Sequence, residues 1–578
     1  MSHSLVFRLP PDAPPEEQPA EIWHALAAEQ LEIEEDRIQA VRLVRISLDA
    51  RARHMEWRVS TEVYMKGEEV PAPPSEEPPR FAAAKEDAPH VVIVGSGPAG
   101  LFAALHLIEH GLRVTVCERG KSIQDRRRDI ANLNRGEDTD PESNYAFGEG
   151  GAGTFSDGKL YTRSSKRGNV QEILESFVAH GAPASILSAW RPHIGSNLLP
   201  KVVAAMVETI RSAGSEVLFD ACVTEILHED GEHGAQVSGV ELADGTRIET
   251  ESVVLAAGHS ALDVLQMAHR AGATLEAKGF AMGVRVEHPQ SWLDEVQYRG
   301  EREDAGLPAS FYELSAQVHE RGVFSFCMCP GGWIVPCQTT PGTLVVNGMS
   351  LSKRDSPFAN SGVVVSIEPK DWCGKRGWRW GWNDLLQRAA AISDHPMLHE
   401  VLEDPRGGNP IPIAEGRLPV HPAIDPFFGV RLQLAMETLA SHAGGGEGKA
   451  PVQRCDLFVE GSTEGGDVLP TSYLPGLTPT DLGSLMPKGL TNRLREALVE
   501  FESQLPGFAS SLGQMVGVET RTSSPVRILR DAETLQANTL QGLYPCGEGA
   551  GYAGGIVSAA LDGVLVAKRI RDQVAVSS

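Results

Sequence analysis

Three glycines at the spacing Gly95-x-Gly97-x-x-Gly100 follow the apolar run HVVIV and open a second apolar run, PAGLFAALHLIEH. Each has its own use: Gly95 permits a tight turn, Gly97 lets a pyrophosphate approach the backbone, and Gly100 allows a helix to pack closely on a strand. Pro98 and Ala99 fall in the first turn of that helix, whose unpaired N–H groups and dipole favour an anion. Glu118, with Arg119 after it, closes a second strand, LRVTVCERG, at the distance where a carboxylate bonds ribose hydroxyls. Strand, turn, helix, strand and terminal acid are all in register, which predicts a dinucleotide site rather than a glycine-rich turn.

The remaining glycine-rich segments decide which dinucleotide. LYPCGEGAGYAGGI reads as a strand ending at Gly547 and Glu548, then Gly554, Gly555 and Ile556 at the start of a helix. ESVVLAAGHS places Ala257 and Gly258 at the end of another strand. In flavoenzymes of the glutathione reductase type, a segment like the former returns beside the first strand, with its acid at the ribityl chain and its helix facing the flavin. FAD is therefore the expected cofactor. FGEGGAGTFSDGKL is expected to pass the flavin's redox face, with Gly153 and Thr154 at the cofactor and Ser156, Asp157 and Lys159 bonding the ring edge or a substrate. It holds no cysteine pair, which argues against a disulfide reductase using thiols at that position.

Other residues offer chemistry with bland readings beside it. Arg521 and Arg527 precede the C-terminal flavin segment, where a guanidinium could pair with a substrate carboxylate or with negative charge on reduced flavin. Their alternative is salt bridging to Glu519 or Asp531. Lys159 and Tyr552 complete the expected catalytic set, and His193 and His259, in segments near the cofactor, could serve as proton donors, a structural role being the commoner reading of a lone histidine beside a glycine loop. Cys327 and Cys329 share a strand face at i and i+2. Packed strand thiols are the first reading, a reactive thiol near the flavin or a metal ligand the alternatives. Cys337 alone does not complete a four-ligand set, so no metal is expected.

These groups need a scaffold of several units, as 578 residues predict three to four. Residues 1–70 read as a small α+β domain with a βαββ order, and residues 71–89, rich in Pro and Glu, as a linker. Residues 90–279 and 517–578 form a discontinuous Rossmann-like FAD-binding domain of α/β class, with a helical insertion over about 170–213. Residues 280–516 are left as a strand-rich substrate or cap domain over the flavin's open face.

Composition limits the partners. A net charge of −25 argues against nucleic acid, whose binding draws on neutralised phosphates. The local exception is the arginine set Arg37, Arg42, Arg45, Arg51, Arg53 and Arg58 in the N-terminal unit, read as docking onto the protein's own acidic body. Trp57 is the one clear aromatic for base stacking there. No apolar run reaches the length of a membrane span, and the eight cysteines lack a framework of short spacings. A cytoplasmic location is expected.

SLDAR, FGEGGAGTFSDGKL, RPHIGSN, FSFCMCPGG, VVNGMS, APVQR, GVETRTSSPVRI and GLYPCGEGAGYAGGI are long, unusual strings. Through them the chain resembles, over nearly its whole length, a family of uncharacterised FAD-dependent dehydrogenases. It departs from that pattern at KDWCGKRGWRWGWNDLL and GGNPIPIAEGRLPVHPAI. The resemblance implies a cofactor and a reaction type. The expected function is an FAD-dependent oxidoreductase transferring a hydride between a small-molecule substrate and flavin, with NAD(P)H as a candidate transient reductant because only one complete dinucleotide fingerprint is present. The rival expectation is a flavin-containing RNA-modifying or macromolecule-binding protein that uses the arginine-bearing N-terminal domain.

Overall fold

The computed structural model describes residues 3–50, 54–162, 168–231, 234–300, 302, 306–372, 374–400 and 425–577. Arg51 and Arg53, and the stretch 407–424, lie outside the described residues.

The N-terminal unit is β1 (His3–Leu9), α1 (Ala20–Leu31), β2 (Ile38–Asp49) and β3 (Glu56–Met65), an antiparallel sheet in the order β1-β3-β2. Trp23, Ala27 and Ala28 make the buried face of α1 and pack with Phe7 and Val59 of the sheet. This order leaves β2 as an edge with unpaired main-chain groups. Ile46 uses that edge: its N–H donates to Ser188 O at 2.7 Å and its carbonyl accepts from Trp190 N at 3.0 Å. Arg45 lies over the Trp190 ring, 5.7 Å from its centroid. The unit is thus hydrogen-bonded to the body through main chain, with an arginine at the contact.

After a stretch without helix or strand, β4 (His90–Val94), α2 (Pro98–Glu109) and β5 (Arg113–Cys117) form the expected βαβ unit. α4 (Val170–Ala179) and α5 (Leu199–Ser212) occupy the expected helical insertion; α3 (Ile123–Asn134) precedes them. β6 (Glu216–Leu218) and β10 (Val253–Leu255) flank an antiparallel meander of β7 (Val223–Gly231), β8 (Gly234–Leu242) and β9 (Arg247–Glu249). With β22 (Leu543–Pro545), the parallel sheet runs β22-β10-β4-β5-β6. The C-terminal strand therefore returns beside β10, one strand away from the position expected for it next to β4. The helix Ile556–Ser577 packs along α2, and a Cβ at Gly563 would lie 2.1 Å from Ala99 O, so that contact needs glycine.

The intervening part is built on a seven-stranded sheet in the order β13-β14-β17-β12-β20-β18-β19. Its strands are β12 (Phe280–Pro289), β13 (Ser315–Val318), β14 (Arg321–Cys329), β17 (Phe358–Ile367), β18 (Ala450–Arg454), β19 (Leu477–Pro479) and β20 (Gln514–Glu519). β15 (Gly332–Pro336) and β16 (Val346–Ser350) form a hairpin against it. Seventeen-residue helices, Phe428–Gly444 and Lys488–Gln504, join the expected strands, so this part is α+β in character. The sheet continues to Glu519, past the boundary expected at residue 516. β11 (Leu275–Ala277) then pairs with β21 (Val526–Ile528) where the chain crosses back. Among the described residues no helix is long and apolar enough to cross a membrane.

Candidate functional site

Since β4, β10 and β22 are adjacent and parallel, the loops at their C-terminal ends meet at one edge of the sheet, where ligands of open α/β sheets bind. Glycine makes this meeting possible. Gly95 has φ +103°, and a Cβ there would lie 2.8 Å from Ala256 O. A Cβ at Gly549 would lie 2.0 Å from Ala257 O. By contrast, an added Cβ at Gly97, Gly258, Gly554 or Gly555 would meet nothing within 4 Å, so these four border open space. A Cβ at Gly153 would sit 3.2 Å from Ile556 and 3.9 Å from Pro98, which places the 151–153 turn over the starts of both α2 and the C-terminal helix. Two helix N-termini and bare glycine backbone around a hollow form the donor set that an anionic dinucleotide requires, and the residues present fit FAD.

Glu118 is engaged differently from the expectation of a free ribose ligand. Oε2 accepts from Ser96 N and Oγ at 2.9 and 2.8 Å, and Oε1 accepts from Gly120 N and Gly148 N at 3.0 and 2.9 Å. The carboxylate ties three loops together. Arg119 is paired with Glu142 and Asp263, and Thr154 Oγ1 donates to Glu149 O. Glu548 lies 3.5 Å from His259 Nδ1.

Between the glycine loops and the seven-stranded sheet is a small cavity. Ser156 and His259 border it from the dinucleotide side; Cys337, Asn347, Glu519 and Arg521 border it from the other. Arg521 is neutralised: Nε and Nη2 reach the buried Glu437 at 2.9 and 2.7 Å, and Nη1 donates to Thr339 Oγ1. Its ion-pair partner is Glu437, and neither Glu519 nor Asp531, the partners of the alternative reading, takes that place. Glu519 instead pairs with Arg285, Nη1 to Oε2 at 2.5 Å, while its Oε1 has no protein partner. Burial pushes the Glu519 carboxyl up to about 7, with Arg285 opposing.

Beside this pair sits a polar cluster. Asp157 accepts from Arg354 Nη2 at 2.7 Å and from Ser350 Oγ, and lies 3.2 Å from Lys159 Nζ. Burial alone would raise its carboxyl; Lys159 and Arg354 overcome that and hold it well below the usual range. Lys159 Nζ is 3.6 Å from Cys327 Sγ and 3.8 Å from Cys329 Sγ. Lys159, expected at the flavin edge or at a substrate, thus reaches the thiols of β14, and Asp157 holds it from behind. His193 is drawn down to about 4 by burial and then by Arg354, with Nε2 at 3.1 Å from Ser352 O.

Two expected catalytic residues lie apart from the cavity. Arg527 pairs with Glu276 across β21 and β11. The Tyr552 hydroxyl donates to Ile528 O and accepts from Arg530 N, and the Arg530 guanidinium stacks on its ring at 3.7 Å. This tyrosine braces the segment that leads into β22. Sequence reasoning missed Arg285, Asn347, Arg354, Ser350 and Glu437. For Arg285 a signal existed: a lone arginine inside the strand FAMGVRVEHP, since a charged side chain in a buried strand requires a partner.

Three family models match separate parts of the chain. A family model described as "FAD-dependent protein, C-terminal domain-like" matches residues 279–380 and 417–522, "FAD dependent oxidoreductase" matches 90–128, and a domain of unknown function matches 1–64. A Clostridium beijerinckii protein described as "Uncharacterized protein" is 38% identical over 483 residues, covering 83% of this chain and 80% of its own length. "Protein FixC" of Salmonella typhi is 29% identical over 238 residues, 37% of this chain and 47% of the relative, so the match spans about half of FixC. The crystal structure of CtdE in complex with FAD aligns over 85% of this chain and 91% of that one, at 13% identity and a TM-score of 0.28, a likeness too slight to carry an argument.

Proposed function

We propose, from the premise that this chain belongs to a family of FAD-dependent oxidoreductases, that it transfers a hydride between bound flavin and a small-molecule substrate that enters by the cavity beside the glycine loops. The carrying observation is the position of that cavity, bordered on one side by segments of the glycine loops and on the other by Glu519, Asn347 and Arg521. FAD, when bound, supplies the two-electron chemistry. Gly95, Gly97, Gly100 and Gly258, with the starts of α2 and the C-terminal helix, hold its phosphates and orient it.

The chain's own groups do the rest. Glu519 Oε1, a buried acceptor without a protein partner, accepts a substrate N–H or O–H and moves its proton. Arg285 holds the carboxylate in place, and Val335, Val345 and Val346 give the cavity an apolar wall. The N-terminal arginines serve docking, and the seat of the protein is the cytoplasm. NAD(P)H serves as reductant by docking transiently, without a dinucleotide fold of its own. The test is anaerobic screening of the purified protein for compounds, NADH and NADPH included, that bleach or restore flavin absorbance. A colourless protein that cannot be reconstituted with FAD overturns this reading.

A further inference from the structure

The cysteines of β14 stand in a setting unlike that of the other buried thiols. Cys117 and Cys455 are buried, and burial pushes both thiols up. At Cys327 and Cys329, cations approach the sulfurs: Lys159 Nζ lies 3.6 and 3.8 Å from them, and Arg285 Nη2 is 3.7 Å from Cys329 Sγ. Lys159 is itself held by Asp157. A regular strand keeps residues i and i+2 extended and apart. Here β14 slips against β17 between Phe326 and Cys329, and Cys327 has φ +43°, in the left-handed region that disfavours a side chain. The irregularity sits at the CxC, and the Cys329 thiol turns back toward its neighbour there, donating to the Cys327 carbonyl oxygen at 3.3 Å.

We propose that Cys327 and Cys329 are a two-electron thiol redox pair that reacts with a small disulfide. The Cys327 thiolate attacks one sulfur of RSSR, forming a Cys327–SR bond and releasing RS⁻. The Cys329 thiol then gives its proton to that RS⁻, and its sulfur displaces the second RS⁻ from Cys327. The products are the Cys327–Cys329 disulfide, RSH and RS⁻; the two cysteines have lost two electrons and RSSR has gained them. Lys159 serves both halves because one ammonium reaches both sulfurs, stabilising the thiolate first on Cys327 and then on Cys329. Cys327 is the part-exposed member and Cys329 the buried one, which fixes the order of attack. Consistent with this, the Cys329 thiol, Lys159 and Arg285 together hold the Cys327 thiol well below its ordinary value against burial.

This pair does not depend on the flavin reading, and its test does not use flavin. The purified full-length protein is exposed to glutathione disulfide near neutral pH, then unfolded, alkylated with iodoacetamide, digested and mapped by mass spectrometry. The expected result is Cys327 joined to Cys329, reversible by dithiothreitol, with Cys117 and Cys455 alkylated only after unfolding. Cys329→Ser should stop the reaction with glutathione on Cys327, and Lys159→Met should slow it about tenfold or more. If that variant does not fold, the pH dependence of iodoacetamide labelling at Cys327 in the wild type decides. A half-maximum below the ordinary thiol value of about 8.5 supports the pair, and one at or above it overturns it. Both cysteines remaining reduced, or an adduct forming first on Cys329, also overturns it.

Discussion

Arg285 and Glu519 meet across β12 and β20 with both side chains excluded from solvent, Nη1 lying 2.5 Å from Oε2. The pairing of the two strands slips between Gly283 and Arg285, and Gly517 takes φ +48° at the same place. Neighbouring glycines leave room for the pair: a Cβ at Gly362 would lie 2.9 Å from the Glu519 carboxyl, and one at Gly348 would lie 2.1 Å from Arg285 Nη2. The guanidinium is saturated further by Asn360 Oδ1 and Cys327 O at 2.7 Å each. The carboxylate keeps one oxygen without a protein partner.

Removing the arginine strands a buried carboxylate. Arg285→Met is expected to cost about 3–5 kcal/mol, read as a lowered thermal midpoint. Adding Glu519→Gln to that variant removes the stranded charge and should restore part of the loss. An Arg285→Met protein as stable as wild type would show that the pair is open to water.

The pH dependence of stability follows from the same carboxyl. Burial raises Glu519 to about 7 in the folded protein, above its unfolded value, so the native state binds the extra proton between the two. Its contribution to stability is therefore fully present below the unfolded value of about 4.3 and is lost as pH rises through about 7. The difference in thermal midpoint between wild type and Glu519→Gln should change across that window and level off above it. A difference flat from about pH 5 to about pH 8 would place the titration elsewhere.

Gly97 and Gly100 separate binding from folding. A side chain at Gly97 meets open space and an ordinary φ of −69°, so Gly97→Val should fold with a near-normal midpoint and yet carry no FAD, because it fills the phosphate approach. A side chain at Gly100 would stand 2.0 Å from Gly95 O, so Gly100→Val should fail to fold. Flavin absorbance per chain and thermal unfolding read the two effects. A yellow Gly97→Val protein would remove the pyrophosphate from this loop.

The glycine loops were legible because their meaning is local: turn, helix start and strand end follow one another within a few residues. The Arg285–Glu519 pair spans 234 positions and exists only because β12 and β20 are neighbours in the sheet. No periodicity announces that. Cys327 and Cys329 read as ordinary strand thiols since a slip and a positive φ leave no mark in composition. Lys159 stands in the expected loop and pairs there with Asp157, but the two thiols it also reaches belong to β14, 168 and 170 positions away. Arg527 and Tyr552 lie in the right segments, and the pairing of β21 with β11 and the stacking of Arg530 decide where they go.

Arg521 and Arg527, alike in sequence context, should respond in opposite ways to replacement by Met. Arg521 is held against Glu437, whose side chain is fully buried and also accepts from Thr520 Oγ1 at 2.5 Å. Arg521→Met leaves that carboxylate without its cation, at a cost of about 3–5 kcal/mol. Because Arg521 borders the cavity, its loss should also disturb substrate-driven flavin reduction in whatever fraction folds. Arg527 pairs with Glu276 where both side chains are more than a third exposed, and such pairs contribute at most about 1 kcal/mol. Arg527→Met should therefore keep its midpoint, its FAD and its reduction kinetics. Adding Glu437→Gln to Arg521→Met tests the cause directly: stability should recover in part while reduction stays impaired, because the buried charge is gone but the guanidinium at the cavity is not restored. Recovery of both would make Arg521 a purely structural residue, and impaired reduction in Arg527→Met with full FAD content would move the reacting centre toward β21.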